Sequence, residues 1–94
     1  MAVTVRLPGV LREYVGGRGI LTVEVAGDAT LRDVLDLLAV QVPALERRIR
    51  DERGVVRRHV NLFIDAGDAR DSGLLAAPVR PGSEVMVIPA VSGG

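Results

Sequence analysis

Cysteine is absent from these 94 residues, and so is lysine. Without cysteine the chain has no disulfide, no zinc–thiolate site and no thiol nucleophile, so any sulfur it handles must sit on another atom. Without lysine all twelve basic residues are arginine, and no side-chain amine is available to accept an acyl group. Excess charge of either sign is missing too: twelve acidic residues balance the arginines. A zero net charge argues against a nucleic-acid partner, which calls for a basic surface. No stretch approaches the roughly 18 consecutive apolar residues of a membrane span, and no charged-then-apolar leader opens the chain. The expected setting is therefore the cytoplasm, with no membrane partner. His59 is the only histidine, with no second histidine or cysteine to complete a metal site. It reads as a structural residue at the start of a strand.

What is present is enough for one folded domain. Apolar residues make up 48% of the chain and charged residues 26%, outside the disordered class. A chain of this length buries roughly two-thirds of its unfolded surface, which allows one modest core. Val3–Leu7 alternates apolar and polar residues, and Ile20–Val25 does the same with Leu21, Val23 and Val25 on one face. Pro8-Gly9, a short helical turn over Val10–Tyr14 and the turn Gly16-Gly17-Arg18-Gly19 separate them, which suggests an antiparallel pair. That glycine-rich turn lacks the lysine of a phosphate-binding loop.

Thr30 then opens the best helix. It is a good N-cap, and Asp33 three residues on completes a capping box with Asp in place of Glu. Leu31, Val34, Leu35, Leu38 and Val42 form one apolar stripe, which Pro43 ends. Leu45 and Ile49, four apart, fit a second short helix. The arginines at 47, 48, 50, 53, 57 and 58 make the most basic part of the chain, read as a solvated face balanced by Glu46, Asp51 and Glu52, with an acidic partner surface as the alternative. His59–Asp65 and Val85–Ile88 are further strands. Asp65, Asp68 and Asp71 lack the spacing and terminal glutamate of a calcium loop. Two strands, a capped helix and later strands describe an α+β fold with one main helix packed on one face of a mixed sheet, the order expected of a β-grasp domain.

The body offers no evident active site; it offers a surface and a tail. Phe63, Met86 and Ile88 fall on the sheet face opposite the helix, where adjacent strands would gather them into an apolar patch, the expected partner-binding surface. Proline cannot donate to a sheet ladder, so pairing should stop at Pro89. This divides the chain into a domain at residues 1–89 and a flexible tail at residues 90–94. Val91, Ser92 and Gly93 lead to Gly94, whose α-carboxylate is the candidate reactive group. Two residues without a Cβ can thread a narrow channel. At neutral pH that carboxylate is ionised and a poor electrophile, so chemistry on it needs activation.

These features resemble the ubiquitin-like sulfur carriers of the ThiS/MoaD family across nearly the whole chain. The likeness is carried by Leu11-Arg12-Glu13, Thr30-Leu31, Pro81-Gly82-Ser83-Glu84-Val85 and Pro89-Ala90-Val91-Ser92-Gly93-Gly94. Within the family the chain is most similar to the CysO branch, through the longer segment between helix and third strand, Val60-Asn61-Leu62-Phe63-Ile64, Ser72-Gly73-Leu74-Leu75-Ala76 and Pro89-Ala90-Val91.

The resemblance implies a co-substrate rather than an enzyme. An adenylating enzyme of the MoeB/ThiF kind would bind the patch, draw in the tail and spend ATP to convert the Gly94 carboxylate to an acyl-adenylate; the carrier itself would hold no cofactor. A sulfur donor would then displace AMP and leave a thiocarboxylate. A sulfur-accepting synthase, of the cysteine-synthase kind or another, would receive the sulfur, and a metalloprotease would free the cysteine made on the carrier. Two other roles stay open: the small subunit of molybdopterin synthase, and a ubiquitin-like modifier joined to partner lysines.

Overall fold

The computed structural model describes residues 1–90. Strand β1 (Ala2–Arg6) leads into a single helical turn α1 (Gly9–Arg12), continued as a 3-10 turn over Glu13–Val15. Gly16 and Gly17 follow at φ 68° and 87°, backbone that side chains with a Cβ rarely adopt. The chain then reverses into β2 (Ile20–Glu24), antiparallel to β1 with Val3 opposite Val23 and Val5 opposite Leu21.

Helix α2 (Leu31–Gln41) starts at the expected capping box: the Thr30 backbone N–H donates to Asp33 Oδ2 at 2.9 Å. The helix ends before Val42, and Pro43 opens a separate helix α3 (Pro43–Ile49) from the N1 position, where its missing N–H costs nothing. Strand β3 (Val60–Ile64) turns through Asp65 and Ala66, both at positive φ, into the two-residue β4 (Gly67–Asp68). Two 3-10 turns at Ala69–Ser72 and Leu74–Ala76 lead to β5 (Glu84–Pro89).

The sheet order is β2-β1-β5-β3-β4. Among the described residues only the β1–β5 pair is parallel, so the sheet is mixed, as the sequence implies. Strand β5, last in the chain, is the central strand. Its inward residues Val85 and Val87 are fully buried, as are Val3, Val5 and Val23 beside them. Leu31, Val34, Leu35 and Leu38 of α2 cover that face, and Leu45 and Ile49 of α3 extend the cover. Each fully buried leucine or valine contributes about 1.5–3 kcal/mol relative to exposure.

Two expectations need correction. Pairing does not stop at Pro89: Pro89 sits opposite Val60, and the Ala90 N–H still donates to the His59 carbonyl at 2.6 Å. Because the Ala90 N–H bonds to His59 and the Asp65 N–H to Glu84, the alternation of an antiparallel pair points the nitrogen of residue 89 away from β3. The proline there removes no bond to β3, and the ladder passes through it. Nor is the arginine run simply a solvated face. Arg50 is 6% exposed and is held by Glu46 of α3 and by Asp36 of α2, the latter at 2.9 Å. Burial works against its charge, but the hydrogen bonds to Glu46 and Asp36 prevail and hold its pKa above the ordinary arginine value. Asp36 was missing from the expected balance because it comes from the preceding helix.

Candidate functional site

The outer sheet face is assembled around β5. Phe63 and Met86 are direct cross-strand partners between β3 and β5, and Ile88 lies opposite Asn61 two residues along. Phe63 and Met86 are half-buried and Ile88 is 39% exposed, while their neighbours Leu62, Val85 and Val87 are buried on the other face. The alternation expected from the sequence holds, and the three apolar residues come together. They line a shallow concavity of about 240 Å³ with Ala66 and Glu84.

A second concavity of about 300 Å³ flanks Met86 and Ile88 on the β1 side, lined by Arg6, Pro8 and Arg12. Arg6 pairs with Glu84 at 3.3 Å, and Arg12 donates from Nε to the Leu7 carbonyl at 3.1 Å. The apolar patch is therefore rimmed by charge, with both signs within reach of a docking partner.

Strand β5 leads directly from this patch to Ala90. Around Pro89 and Ala90 lies a groove of about 470 Å³ walled by Tyr14, Arg48, Arg57 and His59. The Arg48 guanidinium sits over the Tyr14 ring at 5.2 Å from its centre, and Arg57 Nε donates to the Arg47 carbonyl at 2.8 Å. Sequence reasoning did not bring these four residues together. They come from the 3-10 turn after α1, from α3 and from the approach to β3, and the packing of α3 beside that turn makes them neighbours.

Of the tail expected at residues 90–94, Val91, Ser92, Gly93 and Gly94 lie outside the described residues. Among the described residues no cluster of three His, Asp or Glu side chains is placed to hold a metal ion. Among them, too, no helix is long and apolar enough to cross a membrane.

The profile of the ThiS family matches residues 5–94. The chain belongs to that family. It is 36% identical over 96 residues to the sulfur carrier protein CysO of Mycobacterium tuberculosis, with all of both chains covered. It is also 36% identical over 84 residues to small archaeal modifier protein 1 of Haloferax volcanii, covering 89% of this chain and 91% of that one. The crystal structure of the archaeal modifier superposes with a TM-score of 0.85, at 33% identity over all of both chains. The BexX/CysO complex of Amycolatopsis orientalis contains a chain that superposes at 0.82, with 34% identity and 98% and 99% of the two chains covered. The ubiquitin-like β-grasp architecture expected from the sequence is thus the architecture of the family's solved members.

Proposed function

We propose that this ThiS-family chain carries sulfur as a thiocarboxylate on Gly94, as a co-substrate of other enzymes. The observation that carries the reading is the continuity of β5: one central strand presents Met86 and Ile88 beside Phe63 and then runs into Ala90 at the root of the tail. A partner gripping the outer face is thereby positioned to receive the residues that follow. Full-length identity with the CysO sulfur carrier supports the same reading.

The chemistry is a two-step acyl activation. In a MoeB/ThiF-type adenylating enzyme, a Gly94 carboxylate oxygen attacks the α-phosphorus of ATP; pyrophosphate leaves and an acyl-adenylate forms. A hydrosulfide equivalent then attacks the carbonyl carbon, the acyl–oxygen bond to AMP breaks, and AMP departs with its electron pair. The product is a thiocarboxylate, with sulfur carried on a chain that has no cysteine. ATP is consumed on the partner, and the carrier binds no cofactor of its own. A synthase of the cysteine-synthase kind or another sulfur acceptor would take the sulfur, and a metalloprotease would release a cysteine assembled on the carrier. The site of action is the cytoplasm.

The experiment is ATP–pyrophosphate exchange with an adenylating enzyme of the same organism. The full chain is expected to support exchange, and the chain lacking Gly93 and Gly94 is expected to support none. Exchange undiminished by the deletion contradicts the proposal. The likeness to small archaeal modifier protein 1 favours a second reading, attachment of Gly94 to partner lysines. Lysine-linked adducts in cell extract, without thiocarboxylate, would select it.

A further inference from the structure

The groove at the tail root is more basic than the chain as a whole. Arg48, Arg57 and His59 line it with Tyr14, and no carboxylate is among its walls. Among the neighbouring arginines, Arg50 is paired with Glu46 and Asp36, and Arg53 with Asp51 at 3.2 Å, while Arg47 and Arg58 do not line the groove. Arg48 and Arg57, by contrast, have no carboxylate within 4 Å among the described residues. Their guanidinium groups are anchored in other ways, Arg48 over the Tyr14 ring and Arg57 on the Arg47 carbonyl. Two cations lining one groove with no carboxylate among its walls leave a local positive potential on a chain of zero net charge.

We infer that this groove docks an acidic segment of the protein that takes up the tail, one bearing at least two carboxylates. The inference rests on the proposed role of the tail. A partner that closes on the residues after Ala90 comes up against the groove, because Pro89 and Ala90 are among the residues that line it. Charge complementarity then selects the occupant. Arginine presents a planar fork that matches a carboxylate with two parallel hydrogen bonds, and Arg48 and Arg57 keep donors for that purpose. Charges at the rim of an interface act chiefly on the association rate and on its salt dependence. The groove would therefore steer the carrier onto its partner, while the apolar patch around Met86 supplies the grip.

The test is steady-state ATP–pyrophosphate exchange with the adenylating enzyme, titrating the carrier at 50 and 500 mM salt, which brackets strong and weak screening. Arg48→Glu is the main variant, since Arg48 has no carboxylate within 4 Å to strand among the described residues and its guanidinium rests over the Tyr14 ring; Arg48→Lys, which keeps the charge, is its control and Arg57→Glu the second site, each checked by its melting temperature. The expected result is a KM raised about tenfold at the lower salt, within the range of electrostatic steering. The rate at saturating carrier should be kept, Arg48→Lys, which keeps the charge without the fork, should lose much less than Arg48→Glu, and the gap should close at the higher salt. Folded Arg48→Glu and Arg57→Glu carriers with wild-type KM at both salt concentrations would overturn the inference. A wild-type carrier that supports no exchange at all would overturn the proposed function instead. In amide chemical-shift titrations, hexaglutamate should perturb residues 48, 57 and 59. Perturbation there by a single-stranded oligonucleotide but not by hexaglutamate would assign the groove to nucleic acid and overturn the inference.

Discussion

Phe63 of β3 and Met86 of β5 stand directly opposite each other on the outer sheet face, back to back with the buried Leu62 and Val87 pair. One residue of register separates the docking surface from the core, so a substitution reads out which face it is on.

Val87→Asp should unfold the domain. Val87 is fully buried, and an unpaired carboxylate there costs several kcal/mol, comparable to the roughly 5–15 kcal/mol that holds a small domain together. Ile88→Asp, one position on and 39% exposed, should cost about 1 kcal/mol while weakening activation by the adenylating partner. Phe63→Ala should weaken it likewise. Thermal melts of the four proteins check the assignment; equal melting losses at positions 87 and 88 would contradict it.

Arg50→Met should destabilise the fold by about 3 kcal/mol, because it strands the buried Glu46 carboxylate. Asp36→Asn should cost less, since the Asp36 side chain is 58% exposed and Glu46 still faces the guanidinium. Urea denaturation of both variants measures the difference.

That ion pair also marks where the sequence stops being legible. Local patterns were easy to read. The capping box at Thr30, the stripe from Leu31 to Leu38 and the alternation around Phe63 and Met86 are each encoded within a few residues of one another. The bridge from Arg50 to Asp36 and the groove shared by Tyr14, Arg48 and His59 depend on how α3 packs, and no short-range periodicity carries that information. Pro89 misled for a related reason. The rule that proline ends a ladder assumes a nitrogen aimed at the neighbouring strand, and the register Val60–Pro89 aims it away from β3.

Stability should fall with acid through two half-buried aspartates. The Val55 backbone N–H, aided by Arg53, holds Asp51 below the ordinary aspartate range; Arg70 does the same for Asp68, through its side chain first and its backbone N–H second. A depressed folded pKa stabilises above the unfolded value of about 3.9 and ceases to as the pH drops through the folded value. Melting temperatures should therefore hold steady with respect to these groups from neutral pH to about 4.5 and decline below it. Asp51→Asn and Asp68→Asn should each flatten that decline; profiles that stay parallel to wild type would remove these two groups from the account.

Gly94→Ala keeps the carboxylate but places a methyl group beside the carbon that ATP must activate. A misplacement near 1 Å can cost about 100-fold in rate. Exchange should fall by about that factor with the melting temperature unchanged, and one residue added after Gly94 should abolish exchange until a protease removes it. Initial rates and calorimetry on the same samples test both.

The most direct test of the sulfur-carrier account is intact-protein mass spectrometry after incubation with the adenylating enzyme, ATP and sulfide. The account predicts a mass gain equal to one sulfur replacing one oxygen, confined by fragmentation to Gly94. An unchanged mass in a reaction that consumes ATP, or a gain located anywhere but Gly94, would contradict it.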